Sequence, residues 1–569
     1  MKKYLISFLI IVVLVFGATF AISLIKSLNK NEVNNTSLLV KIVHIFRVNF
    51  FEHIWNLIKK GGEIGQSKDE TSNGADSSGD NGNNKNIKTS SFSLGTDFDP
   101  KFDFSYLTSF TKNGIYSFGS EKEFWGLIEP SKGKYDWANY DSKIKKVETV
   151  KGDIYPTIWS GSEWGSSAET LKPSSIPKSE YRQNYKDFIK SFMERYDKDG
   201  ENDMPGLEYA HNYLQIEDEA QNLGDAWQAS SNCDSKKTDQ TAYYQCGAQE
   251  YGETLKLAYE GARETNPNSK IISFSFNPGD YFDQNIYPSI SPNSNPKVAF
   301  FDYVFKNYNS YFDTIGVNCN YGYQGIPGFI SYVRNTYKLN KPIMCVDAGT
   351  MPMLTRSQFI KQDKYLNKYP FMSDSDILAV LDNGTSDPKF AEIKPWWEGE
   401  KSKISVKKAV VAKGAGVEKL FLQFGIAEPK THGLTQNPWT HSGLISSGMS
   451  KMNDGSIGTP RTILYAAEQL VEKTDDLNSI QNLNPLPLDS DPKTWIWIYK
   501  FNSRDKTVYI AWKDEQEGKA DLSSFIGKGD VKITPMVTKL DSSFNPIYEK
   551  SSTVSSGEVP LSSTPVYIE

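Results

Sequence analysis

The chain has 569 residues, with 63 lysines and arginines against 69 aspartates and glutamates, for a formal charge of −6. That length has room for more than one domain and a large core, and the lack of a basic block argues against nucleic acid as a partner. With 31 Phe, 31 Tyr, 12 Trp and 41 Gly, the composition suits a folded, aromatic-rich ectodomain and not a disordered chain.

The first segment reads as membrane-directed. Lys2 and Lys3 precede residues 4–25, YLISFLIIVVLVFGATFAISLI, which carry no charge and are long enough to cross a bilayer as a helix. Thr19 and Ala21 make a mediocre cleavage site, so residues 1–30 are read as an uncleaved single-pass anchor, with a cleaved signal segment and secretion as the alternative. Lysines on both flanks leave orientation open; the expectation is a globular part on the extracellular side. Residues 31–60 contain LLVKIVHIFRVNFFEHIWNLI, apolar but broken by Lys41, His44, Arg47, Glu52 and His53. This predicts an amphipathic juxtamembrane helix or a self-association contact. Residues 61–91 are rich in Gly, Ser, Asn and Asp and read as a flexible tether.

From residue 92 short apolar runs recur: FSLGTDF, GIYSFG, IYPTIW, YLQI, KIISFSF, FDTIGVN, PIMCV and VEKLFLQF. Helical patterns such as EYRQNYKDFIKSFMERY, QEYGETLKLAYEGARE and IPGFISYVRNTY lie between most of them. Eight strands alternating with helices predict a parallel sheet, and the number eight suggests a closed (β/α)8 TIM barrel over 92–480. The rhythm alone also permits an open doubly wound sheet. The span exceeds the ~250 residues usual for a barrel, so loops are inserted, most clearly at 350–400 after the seventh strand. In 481–569, TWIWIYKF, TVYIAWKD, KITPMVTKL and PVYIE are separated by turns without a convincing helix, which predicts a small all-β sandwich. Trp495 and Trp497 fall on one face, as sandwich core or as a sugar platform.

Four cysteines lie at 233, 246, 319 and 345, without a C-x-x-C, and the five histidines are scattered. No metal site and no cofactor are expected. Cys233 and Cys246 bracket a polar loop and would bridge in an oxidising compartment; Cys319 and Cys345 sit in apolar runs and read as small core residues. His432 and His441, after the eighth strand, read as solvated loop residues. Serine-hydrolase, Walker and zincin motifs do not occur in the sequence.

In a barrel, chemistry sits at the carboxyl ends of the strands. There QIEDEA places Glu217, Asp218 and Glu219 after the fourth strand, and PIMCVDAGT places Asp347 after the seventh. Two carboxyls across a barrel mouth are the minimum apparatus for cleaving a glycosidic bond. The segment EFWGLIEPSKGKYDWANYD, with Trp125, Ile128-Glu129-Pro130, Gly133 and Tyr135-Asp136-Trp137, resembles the second-strand motif of clan A glycoside hydrolases, especially their β-galactosidase and β-xylosidase branches. The resemblance extends in order over about 92–569. It implies a glycosidase acting on an oligo- or polysaccharide, with Glu219 as acid/base at the clan's Asn-Glu position. Asp218 stands where the clan has the sugar-binding Asn. Lys341-Pro342-Ile343 and Asp347-Ala348-Gly349 frame the nucleophile position, with a carboxylate one methylene shorter than the clan's Glu. The same resemblance places Tyr321 beside that carboxylate. Trp125, Trp159 and Trp164 are candidates to stack on sugar; ordinary rim packing is the competing reading. A glycosidase-like protein that binds glycan or a protein without turnover is the alternative function.

Overall fold

In a computed structural model the described residues are 94–97, 107–112, 114–276, 296–320, 322–349, 352, 372–422, 425–427, 441–448, 455–474, 477–486, 495–514 and 517–569. Eight parallel strands form the central sheet: β1 (Leu94–Asp97), β2 (Ser117–Phe124), β3 (Asp153–Trp159), β4 (Tyr213–Ile216), β5 (Lys270–Ile272), β6 (Ile315–Asn318), β7 (Ile343–Asp347) and β8 (Lys419–Leu422). Their order is β5-β4-β3-β2-β1-β8-β7-β6. Parallel bridges from Ile272 to Thr314 and from Phe276 to Val317 join β5 to β6 and close the ring, as a (β/α)8 barrel requires. The strands are short and apolar because both faces are covered. Every residue of β3 is buried, and Tyr155, Ile272, Met344, Val346 and Phe421 form one cluster contributed by β3, β5, β7 and β8.

Helices return the chain from each strand to the next: α1 (Leu107–Lys112), α2 (Ala138–Thr149), α3 (Arg182–Arg195), α4 (Gln240–Thr265), α5 (Pro296–Asn307), α6 (Ile326–Tyr337), then α7 (Asp374–Asn383) and α8 (Phe390–Gly414) after β7, and α9 (Thr462–Lys473) after β8. In α3 the buried residues are Tyr185, Phe188, Ile189, Phe192 and Met193, spaced three and four apart as one face demands. Ser373 and Asp376 form a reciprocal capping box that starts α7. The predicted 350–400 insertion is thus largely helical from 374 onward, and α8 continues through it to Gly414.

A short parallel pair, β9 (Ile426–Ala427) and β10 (Ile445–Ser446), follows β8. Beyond α9 come β11 (Leu477–Asn482), β12 (Ile496–Ser503), β13 (Thr507–Lys513), β14 (Gly518–Ala520), β15 (Asp530–Pro535), β16 (Ser552–Ser555), β17 (Val559–Leu561) and β18 (Val566–Ile568). Six form an antiparallel sheet in the order β11-β12-β13-β18-β15-β16, and β14 pairs with β17. Alternation along the strands splits the sheet's faces. Ile498, Ala511, Ile533 and Ile568 pack with Ala520, Val559 and Leu561 of the small ribbon. Trp497, Tyr499, Phe501 and Trp512 join the barrel's core cluster instead. The β region therefore takes one of its two packing faces from the barrel, and is less self-contained than the expected sandwich. Trp497 is fully buried and stacks on Trp512 at 5.7 Å; the Trp495 indole donates to the Asn484 carbonyl at 2.8 Å. Both tryptophans serve packing.

The described residues form one compact unit. Among the described residues no helix is long and apolar enough to cross a membrane. The predicted anchor (1–30), juxtamembrane segment (31–60) and tether (61–91), like Tyr321 and His432, lie outside the described residues.

Candidate active site

Where β4 ends, the chain makes an irregular turn. Glu217 and Glu219 adopt positive φ, 63° and 51°, a region that costs a non-glycine residue roughly 1–2 kcal/mol. The turn aims the three acids apart. Glu217 is buried and turns toward the end of β3, where its Oε1 accepts from the Ser160 N–H at 2.6 Å and the Ser160 hydroxyl at 2.7 Å. Burial pushes its carboxyl up to about 7, opposed by the Ser160 bonds and reinforced by Asp218. Asp218 accepts from the Ser275 hydroxyl and lies 3.4 Å from the Lys122 ammonium. Glu219 accepts at Oε2 from the Asn222 amide at 2.8 Å and at Oε1 from the Asn318 amide at 2.9 Å. The three adjacent anions thus go to separate sets of partners, which relieves the cost of placing them together.

The β6–β7 register shifts between Val317 and Asn318, so that Val317 faces Cys345 but Asn318 faces Asp347. Such a shift re-aims the side chain that follows. Asp347 accepts at Oδ2 from the Asn320 amide at 3.1 Å and at Oδ1 from the Gly349 N–H at 3.1 Å. Asn320 in turn accepts from the Gly349 N–H at 2.7 Å. Lys408 of α8 is fully buried and donates to the Gly349 carbonyl at 2.7 Å. Burial brings its ammonium down to about 7, with Asp347 acting the other way. Lys122, half-exposed near the end of β2, answers to three carboxylates. Partial burial works to lower it, but Asp218, then Glu219 and Asp347, raise it above the usual lysine value.

Cys319 and Cys345, expected as separate core residues, form a disulfide with Cα atoms 5.7 Å apart. Their apolar flanks hid this, because the bridge follows from β6 lying beside β7 and not from spacing. Cys233 and Cys246 are bridged as expected, between the turn Ser231–Lys236 and α4.

The aromatic candidates divide. Trp125 is in the core and not on the mouth: fully buried, its indole donates to Glu129 Oε2 at 2.6 Å. Glu129 Oε1 accepts from the Gly133 N–H, and the Trp164 indole donates to the Glu129 carbonyl at 2.8 Å. The Trp-x-x-x-Glu-x-x-x-Gly part of the second-strand motif is therefore a structural clasp. Trp164 is half-buried against Trp125 and Tyr181. Trp159, at the end of β3, is buried, with Lys122 and Lys172 over its ring at 5.0 and 5.3 Å. His441, expected in solvent, is buried and bonded to Asp382 at 2.9 Å, because the loop after β8 folds back onto α7 and α8.

The residues that sequence reasoning missed are Lys122, Ser160, Asn222, Asn318, Asn320 and Lys408. Two had a signal: Asn318 and Asn320 flank a cysteine at the end of a predicted strand, where mouth residues belong. For a metal, the acidic group Glu194, Asp197 and Asp199 brings its carboxylates within 4.8 Å of one another. It spans the last turn of α3 and the segment that follows, toward the barrel's amino-terminal end. Burial and neighbouring acids raise Asp197 to about 7.

A parallel barrel whose mouth gathers carboxylates, amides and two lysines defines the class structurally. No protein-family profile matches the sequence, and no curated protein matches it. Among solved structures, the chain is similar to a family 39 glycoside hydrolase from the gut symbiont Bacteroides cellulosilyticus WH2, at 13% identity over 84% of this chain and 81% of that one, with a TM-score of 0.52. A family 30 subfamily 8 xylanase from Clostridium acetobutylicum matches at 12% identity over 85% and 96%, with a TM-score of 0.45. A glucosidase from Croceicoccus marinus matches at 12% over 85% and 96%, with a TM-score of 0.47. The likeness to the family 39 structure is one of fold: this chain shares its architecture with a glycoside hydrolase.

Proposed function

We propose that this protein is a glycoside hydrolase cleaving O-glycosidic bonds of extracellular β-linked glycans, with Glu219 as acid/base and Asp347 as the second carboxyl. One observation carries the reading. The carboxyls that end β4 and β7 are braced by Asn318 and Asn320 of a single segment at the end of β6. In a parallel barrel, that end is where catalytic groups assemble. Glu219 would protonate the leaving oxygen while Asp347 attacks the anomeric carbon or activates water. The register shift before Asp347 supports a site in which the backbone, as well as side-chain length, sets how far that carboxyl reaches. The clan-like order of motifs and the shared fold support the same reaction class. Two disulfides support an oxidising compartment, and with residues 1–91 we extend the proposal to a membrane-tethered enzyme.

The test is turnover of aryl β-glycosides and β-linked oligosaccharides, with the anomer of the first product followed by NMR. Glu219→Gln should lose about 10²–10⁴-fold on substrates with poor leaving groups and less on activated aryl glycosides. Equal losses on both would remove Glu219 from the acid role. Glycan binding without turnover in the wild type would establish a binding protein instead.

A further inference from the structure

The Cys319–Cys345 disulfide occupies an unusual place. Cys319 lies between the two asparagines that hold the two carboxyls: Asn318 donates to Glu219 and Asn320 donates to Asp347. Cys345 lies two residues before Asp347 on the adjoining strand. The Cys319 N–H also donates to the Asp347 carbonyl at 2.5 Å. The paired part of β6 ends at Asn318, so strand pairing alone does not carry order to Asn320. The bridge and the Gly349–Asn320 hydrogen bond do. Both sulfurs belong to buried residues, at the layer between barrel and helices.

We infer that this disulfide is a positioning clamp for both catalytic carboxyls, fixing the spacing of the Asn318 and Asn320 amides and so the separation of Glu219 from Asp347. The inference rests on the glycosidase reading and adds to it a residue pair that acts through others without touching substrate. Misplacement of reacting groups by ~1 Å costs about a hundredfold in rate, whereas general cross-linking of the chain does not depend on where the carboxyls point. The second disulfide supplies an internal control. Its cysteines are 13 residues apart against 26 for the first, a small difference in chain entropy. It also touches no mouth residue among its described neighbours: its cluster is Ala229, Cys233, Cys246 and Tyr243.

The experiment compares Cys319→Ser/Cys345→Ser with Cys233→Ser/Cys246→Ser in the full chain, after turnover by the wild type is established. Absence of wild-type turnover would fail the glycosidase reading; the clamp is judged only against a working enzyme. The mouth pair should lose kcat about 10–100-fold, with KM changed less than about threefold, while the control pair keeps kcat within about twofold at a comparable loss of thermal stability. Unchanged kcat in the mouth pair, or equal losses in both pairs, would overturn the clamp. Should the mouth pair fail to fold, the native protein is treated with a phosphine reductant below its unfolding temperature, alkylated and mapped by mass spectrometry. Activity falling in step with alkylation of Cys319 and Cys345 supports the clamp, and full activity in molecules alkylated there refutes it.

Discussion

Buried charge is handled in opposite ways at the two ends of this barrel. At the floor, where strands begin, charges come in closed sets. Asp153 at the start of β3 takes Lys419 of β8 at 3.0 Å and stands 3.7 Å from the His211 ring, whose other nitrogen is 3.6 Å from Glu148. Lys419 also lies over the Tyr213 ring at 4.4 Å. Burial alone would raise Asp153, but Lys419 and His211 overcome it and bring it down to about 2. His211 is likewise raised against its burial by the same two carboxylates. At the mouth, Glu217 and Lys408 are buried without a comparable counter-ion. Both are pushed toward neutrality, each to about 7. The floor keeps its ions charged and gains cohesion; the mouth keeps groups poised to exchange protons near neutral pH and gives up cohesion for it.

The contrast can be broken first at Asp347. Asp347→Asn should reduce turnover about 10⁴-fold, about 5 kcal/mol of barrier, with little change in thermal midpoint; a large stability loss would make Asp347 a floor-type group. Next, Lys419→Met should leave Asp153 buried with its main cation gone and cost about 3–5 kcal/mol of stability by denaturant unfolding, with kcat per folded molecule unchanged. Loss of kcat instead would merge the two ends.

Glu217→Gln should stabilise in a pH-dependent way. Its folded value, about 7, lies above the ordinary glutamate value of 4.5. The native state therefore holds the proton more tightly, and stability falls as pH rises through this interval. The variant should match wild type near pH 4 and exceed it by about 3 kcal/mol at pH 8. A constant difference across pH would show that Glu217 is ionised throughout.

The smallest effects belong to the floor's own titration. Asp153, depressed from 3.8 to about 2, contributes about 2 kcal/mol that is present above pH ~4 and lost as pH falls toward 2. His211, raised in the fold, contributes fully below the ordinary imidazole value and loses its contribution as pH climbs through its folded value. His211→Gln should flatten the alkaline side of the stability profile and, because His211 helps depress Asp153, partly flatten the acid side too; an unchanged alkaline side would contradict the pairing.

The barrel was legible because parallel strands covered on both faces leave continuous apolar runs such as YLQI and PIMCV, separated by helices of period 3.6. Glu219 and Asp347 could be read from their places after such runs. What surrounds them could not. The register shifts before Glu121 in β2 and before Asn318 in β6 leave no trace in periodicity, yet they decide what faces Lys122 and Asp347. The Cys319–Cys345 bridge is a consequence of strand adjacency. Trp125 was misjudged because an indole beside an acid reads equally as a sugar platform or a clasp, and only its burial against Glu129 decides. The packing of Trp497, Tyr499 and Phe501 was hidden because alternation shows that a strand has two faces, not what covers them.

The order of strands in the C-terminal sheet carries a last consequence, for the time course of synthesis. β18 pairs with β13 on one side and β15 on the other, so it joins β11–β13 to β15–β16. It also emerges after every other strand of that sheet. Until it does, the two halves have no shared hydrogen bonds. The aromatic row Trp497, Tyr499 and Trp512 belongs to the half made first and shares the barrel's core cluster, and Tyr499 fills the space a side chain at Gly414 of α8 would need. The barrel thus offers a surface on which the first half of the sheet can be laid, and β18, made last of its strands, is the latch that joins the two halves.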